Sequence, residues 1–233
     1  MFISFEYIII LIPAMILAFY AQSKVDKAYN KYSKVMARSG LTGHEVAQRL
    51  LDANGVTDVK IGRVGGKLSD NYSPEQKLLN LSDGVRESSS LAALGIAAHE
   101  TGHALQHARK YVPLTFRNMM VFPTMVTSKL AIPIIILGII LTSFIGEGAL
   151  VIATVGIIFF ALSVVFALIT LPVEFNASKR AIDLLESNHI IDSDEVPAVK
   201  EVLNAAALTY VASAAAAIAT LLRLILIVRR RNN

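Results

Sequence analysis

The feature that most constrains this chain is where its apolar residues fall. They gather into long stretches at residues 2–21, 130–145, 149–171 and 205–228, instead of alternating with polar ones. A helix needs about 20 such residues to cross a hydrocarbon core of ~30 Å. In lipid a single stretch can satisfy its own backbone donors and acceptors only as a helix. The expected fold is therefore mainly α, a polytopic helical membrane protein. A charged fraction of 17% agrees, because soluble domains carry about 25%. The absence of cysteine excludes disulfides and thiolate ligands, so any metal site must use His, Asp or Glu. The net charge of +4 is modest and sits beside apolar runs, which points to lipid headgroups. No basic patch interleaved with aromatics is present, so no nucleic-acid partner is expected.

Taken in order, residues 2–21 read as the first transmembrane helix. The stretch lacks a basic leader and a small-residue cleavage site, so it reads as a retained anchor. Glu6 belongs at headgroup level, and Pro13 can kink the helix. Lys24, Lys27, Lys31, Lys34 and Arg38 follow at once and place the next region, 22–117, on the cytoplasmic side. Within it, Thr42-Gly43-His44-Glu45 has the form of a capping box and opens a helix that Asn54-Gly55 stops. Val59 to Val64, Leu68 to Tyr72 and Lys77 to Ser82 read as short strands, the last two divided by a turn at Ser73-Pro74-Glu75-Gln76. Such a sheet either offers a peptide an edge to pair with or only packs against the next helix.

Ser88-Ser89-Ser90 caps a further helix expected to run to Lys110, with Pro113 ending it. Residues 118–171 form a transmembrane hairpin. In it 130–145 crosses, 118–129 lies at the interface or extends the span, and Gly146-Glu147-Gly148 turns the chain into 149–171. The hairpin returns the chain to the side it left, so 172–204 is again cytoplasmic, marked by Lys179, Arg180 and Lys200. A second helical segment is expected to begin at Glu174, and another helix at Pro197. The last stretch, 205–233, is a transmembrane or interfacial helix. Four full spans would put Arg229-Arg230-Arg231 outside, against the charge rule; an interfacial helix with Arg223 snorkelling would keep them inside.

The chemistry is concentrated in Ala97-Ala98-His99-Glu100-Thr101-Gly102-His103. Residues four apart share a helical face, so His99 and His103 can aim two imidazoles at one point. Leu91, Ala92, Ala93, Leu94, Ile96, Ala97 and Ala98 lead into the motif, so this helix is buried, and unpaired polar groups there would be costly. A zinc ion between the rings supplies the missing partner. Glu100 leaves the same turn, where it can take a proton from an activated water and return it to a leaving amine. Such a site needs a third protein ligand. His107 lies on the same stripe but ~6 Å beyond His103 along the axis, too far for one ion to meet all three rings. His44 and His189 sit in polar surroundings. Glu174, in Leu171-Pro172-Val173-Glu174-Phe175-Asn176-Ala177-Ser178-Lys179-Arg180, is the better candidate.

These residues, with Asp70-Asn71-Tyr72-Ser73-Pro74, Leu79-Asn80-Leu81-Ser82 and Val202-Leu203-Asn204-Ala205-Ala206-Ala207-Leu208-Thr209-Tyr210-Val211, resemble the YugP-type neutral zinc metallopeptidases of bacterial membranes. The likeness covers nearly the whole chain. It is more distantly similar to heat-shock membrane proteases and CaaX prenyl proteases. The resemblance implies a small α+β gluzincin-like zinc-peptidase domain set among the membrane helices. It implies one Zn²⁺ per chain held by His99, His103 and Glu174, with Glu100 as general base. It also implies a peptide or protein substrate and a multi-pass place in the bacterial inner (plasma) membrane, the active site facing the cytoplasm. In those relatives an Asp follows the ligand Glu by four residues. Here that position is Ser178, a weaker partner for an imidazole. Tyr210, Arg180 and His107 are candidate oxyanion donors. Two other classes compete with the enzyme: a membrane scaffold or transport component in which Lys129 and Arg223 matter, and a zinc sensor or store indifferent to Glu100.

Overall fold

The computed structural model describes the backbone of residues 5–230 and side chains from residue 9 onward. Expectations resting on Phe2, the Glu6 side chain and Arg231 lie outside the described residues. The elements are α1 (Phe5–Tyr32), α2 (Gly43–Ala53), β1 (Lys60–Val64), β2 (Asn71–Ser73), β3 (Leu78–Ser82), α3 (Asp83–Arg86), α4 (Leu91–Ala108), α5 (Val112–Ile145), a 3₁₀ turn (Glu147–Ala149), α6 (Leu150–Ser187) and α7 (Val196–Arg229). Among the described residues, four segments are long and apolar enough to cross a membrane: Ile9–Tyr32, Val112–Ile145, Glu147–Ser187 and Val196–Arg229. The protein is mainly α and polytopic, with a small α+β region.

The cap chemistry acts where it was expected. The Glu45 carboxylate accepts from the Thr42 N–H at 2.8 Å while the Thr42 hydroxyl accepts from the Glu45 N–H, closing the box at the start of α2. The Ser90 hydroxyl accepts from the Ala93 N–H at the start of α4. Lys110, in the left-handed region at φ 51°, lies just beyond the end of α4. Pro113 therefore does not end that helix. It occupies the first turn of α5, where its missing N–H has no helical partner to lose.

For the long helices one alternative is resolved and two expectations are corrected. α5 is continuous from Val112 through Pro123 and Pro133, so residues 118–129 extend the helix that holds 130–145. α6 passes through Pro172, and Glu174 lies inside it instead of opening a second segment. α7 runs unbroken from Val196, so the helix expected at Pro197 and the stretch from 205 are the same element. An internal proline removes one hydrogen bond of the ladder. In apolar surroundings unwinding further would orphan many more groups, so the helix continues across it.

The sheet has the order β1-β3-β2, with β1 parallel and β2 antiparallel to β3. β2 is shorter and begins later than the strand expected over Leu68 to Tyr72. Leu68 takes φ 56°, outside strand geometry, and the Asp70 carboxylate accepts from the Ser82 N–H and hydroxyl at 2.7 and 3.0 Å. Leu79 and Leu81 of β3 pack with Ala47, Val85, Ala93 and Ala97, so the sheet does pack against the buried helix, and β1 and β2 are its edges.

The chain divides into two compact units. One comprises residues Met1–Tyr20, Phe116–Leu171 and Thr209–Asn233. Within it α5 and α6 approach closely. A Cβ at Gly138 would lie 2.4 Å from the Ala153 nitrogen, and one at Gly156 would lie 2.8 Å from the Ala131 carbonyl oxygen. Small residues let apolar helices touch by backbone. The other unit comprises Ala21–Thr115 and Pro172–Leu208. Its core joins Val46 and Leu50 of α2, Leu94 and Ala98 of α4, Ala181 and Leu185 of α6, Ile190, and Val199 and Leu203 of α7. α4 is enclosed on nearly all sides, which explains its apolar sequence.

Candidate metal centre

Within that second unit, α4 and α6 meet at Gly102 and Ala177. A Cβ on Gly102 would sit 2.9 Å from the Ala177 carbonyl oxygen and 3.3 Å from its Cα, so only glycine permits the approach. Around this contact α4 presents His99, three residues before Gly102, and His103, the residue after it, while α6 presents Glu174, three residues before Ala177, and Ser178, the residue after it. Glu174 Oε2 lies 3.3 Å from His99 Nε2 and 3.4 Å from His103 Nε2. The two rings stand edge to face, centroids 4.7 Å apart. One ligand-type atom from each of the three residues lies within 4.8 Å of the other two. Glu174 is 3% exposed, and its carboxylate has the two rings as partners.

The far nitrogen of each ring is also held. Ser178 Oγ is 3.2 Å from His99 Nδ1. Gln106 Oε1 is 3.0 Å from His103 Nδ1, and Gln106 Nε2 donates to the Val173 carbonyl at 2.8 Å and to Asn176 Oδ1 at 3.0 Å. Asn176 Oδ1 accepts in turn from Arg180 Nε at 2.7 Å. Burial pushes the Glu100 carboxyl above its ordinary value, against the opposing pull of His103 and His99. For His103 burial acts downward, but the Glu174 and Glu100 carboxylates outweigh it and the ring is raised.

A family model described as "Putative neutral zinc metallopeptidase" matches residues 7–229. The chain is also 44% identical over 221 residues to a protein of Bacillus subtilis (strain 168) named "Putative membrane protease YugP", covering 95% of this chain and 96% of that protein. The chain belongs to this metallopeptidase family. No solved structure matches it.

The metal and the substrate class that go with the family are zinc and a peptide, and the donor set suits the ion. An ion bound tetrahedrally at 2.0–2.1 Å from its donors holds any two of them about 3.4 Å apart. Glu174 Oε2 stands at 3.3 and 3.4 Å from the two Nε2 atoms. Two imidazole nitrogens and a carboxylate oxygen are one of the donor sets that catalytic zinc sites use, with the fourth position left open. Two imidazole nitrogens facing one buried carboxylate oxygen are held there either by their own N–H donors or by a cation shared among the three.

Of the residues singled out in the sequence, His99, His103 and Glu174 come together, with Glu100 on the same turn of α4. His107 does not join them. Its Nδ1 is 2.8 Å from the Tyr72 hydroxyl, whose pKa is pushed up to about 12 by burial and by Asp58. Arg180 is engaged with Asn176, and its guanidinium lies over the Tyr111 ring. Gln106 went unnoticed in the sequence. Its signal was there: a polar residue in the apolar stretch of α4, three positions after a ring it can reach.

Proposed function

We propose that this protein is a membrane-embedded, zinc-dependent endopeptidase in which His99, His103 and Glu174 hold one Zn²⁺ and Glu100 is the general base. The observation that carries the reading is the meeting of three ligand-type side chains, two from α4 and one from α6, within 4.8 Å of one another. When bound, the ion supplies a Lewis acid for the scissile carbonyl and makes water acidic enough to give up a proton near neutral pH. Glu100 accepts that proton and later passes it to the amine that leaves. Its raised pKa brings it closer to the working pH, where a base transfers a proton most effectively. Gly102 keeps the two helices close enough for Glu174 to reach the rings. Lys24, Lys27 and Lys31 in the last part of α1, Lys34 and Arg38 after it, and Lys179, Arg180 and Lys200 support a cytoplasmic site in the bacterial inner membrane.

Glu100→Gln tests the role directly, because the amide keeps the shape of the side chain and cannot act as a base. Zinc content should stay at that of the wild type, while peptide cleavage falls by roughly 10²–10⁴-fold. A variant that cuts peptides as fast as the wild type would remove Glu100 from the mechanism. A zinc store predicts no dependence on Glu100, and a scaffold predicts no bound zinc.

A further inference from the structure

We propose that Gln106 is a positioning residue that fixes the tautomer of His103, so that the Nε2 lone pair faces the ion; the proposal rests on the zinc reading above. Gln106 is fully buried, at 0% exposure, and each of its amide atoms has a partner. The direction of that amide follows from groups that can play only one part. The Val173 carbonyl can only accept, so it faces the Gln106 NH₂ at 2.8 Å. Arg180 Nε can only donate, so it faces the oxygen of Asn176 at 2.7 Å, and that same oxygen accepts from the Gln106 NH₂ at 3.0 Å. With both amide hydrogens taken, Gln106 presents Oε1 to His103 Nδ1 at 3.0 Å. An oxygen acceptor requires Nδ1 to carry hydrogen. Neutral imidazole has one N–H, so Nε2 is left with its lone pair directed toward Glu174 and the ion.

His99 differs. Its Nδ1 meets the Ser178 hydroxyl, which donates or accepts equally well and so imposes no tautomer. The two ligand rings are therefore unequally prepared: Gln106 holds an acceptor against His103 Nδ1, opposing the pull of the Glu174 carboxylate on an Nε2 hydrogen, whereas nothing at Nδ1 of His99 favours either tautomer. The polarity begins at Arg180 and Val173 on α6, passes through Asn176 and Gln106, and ends at a ring on α4, so the helix that brings Glu174 also orients His103.

The test uses the full-length protein in detergent micelles, with ring-¹⁵N-labelled histidine and zinc affinity measured by chelator competition. In zinc-free Glu174→Ala in alkaline buffer, where the ring is neutral and the carboxylate 3.4 Å from Nε2 no longer competes for the hydrogen, His103 should carry its hydrogen on Nδ1. Adding Gln106→Met to that background should abolish the preference. Gln106→Met should also weaken zinc binding by roughly 10–100-fold. Gln106→Glu still offers an oxygen to Nδ1–H, so it should retain the tautomer and near-wild-type zinc affinity even where it lowers the melting temperature. That split separates positioning from packing. In zinc-free Glu174→Ala, His103 with its hydrogen on Nε2 overturns the proposal. So does a folded Gln106→Met protein that binds zinc as tightly as the wild type. Wild type that takes up no zinc would instead defeat the zinc reading, and the tautomer measurement would still decide the role of Gln106.

Discussion

Helices α4 and α6 bring polar atoms to the same point from apolar sequence, and they do it by different means. α4 supplies two rings from one face, four residues apart, each with its far nitrogen held by a neighbour. α6 supplies a single carboxylate, 3% exposed, whose partners are those two rings. The rings are thus largely prepared by the fold, whereas the carboxylate depends on how closely α6 approaches. A site divided in this way should be most sensitive where the two helices touch, and less sensitive at the tethers behind each ring.

The largest structural effect should come from Gly102→Ala. The new Cβ would meet the backbone of Ala177, which cannot swing aside as a side chain could. We expect a loss of about 1–3 kcal/mol in stability and, because Glu174 is carried away from the rings, zinc binding weaker by more than tenfold. Chemical denaturation and chelator competition check the two parts. Unchanged zinc affinity in a folded Gly102→Ala protein would show that α6 approaches independently of this contact.

Ser178→Ala sharpens the contrast between the two rings. It removes the hydroxyl from His99 Nδ1 and should weaken zinc binding by roughly tenfold, the low end for loss of a hydrogen-bond partner to a ligand. An effect larger than that of Gln106→Met would reverse the ranking of the two tethers.

The zinc-free protein tests the electrostatics of α4. Burial raises the Glu100 carboxyl above the ordinary 4.5, so carboxyl ¹³C NMR should find its midpoint above 4.5, with the protonated form on the acid side and the carboxylate on the alkaline side. A midpoint in the ordinary carboxylate range would mean that Glu100 is well solvated.

This difference between the helices also explains what could be read from the sequence. The spacing of His99 and His103, the apolar approach to them and the Ser90 cap are local properties of one helix, so α4 was legible with its ligands. The apolar stretches marked the membrane helices for the same reason. The bounds of α5, α6 and α7 were not: Pro123, Pro133 and Pro172 are local helix breakers whose apolar surroundings penalise unwinding, and nothing local showed that the helix opening at Pro197 joins the stretch from 205. Glu174 was reachable by elimination and by family likeness, but its place inside a continuous α6 was not. Gln106 is hidden further still. Its role depends on Val173 and Asn176, 67 and 70 residues away, and no local pattern encodes that meeting.

The smallest expected effect serves as a control. Thr42→Ala opens the capping box of α2 and should cost about 1 kcal/mol. Zinc affinity should not change, since α2 contributes core residues and no ligand. A drop in zinc binding would extend the prepared region beyond α4 and α6.

The most direct test is metal analysis with X-ray absorption at the zinc edge, on the purified full-length protein and on Glu174→Ala. We predict one zinc per chain in the wild type, with two imidazole nitrogens and a carboxylate oxygen among its neighbours, and loss of the ion from Glu174→Ala. A Glu174→Ala protein that keeps its zinc with an unchanged coordination spectrum would contradict the convergence of α4 and α6 on one ion.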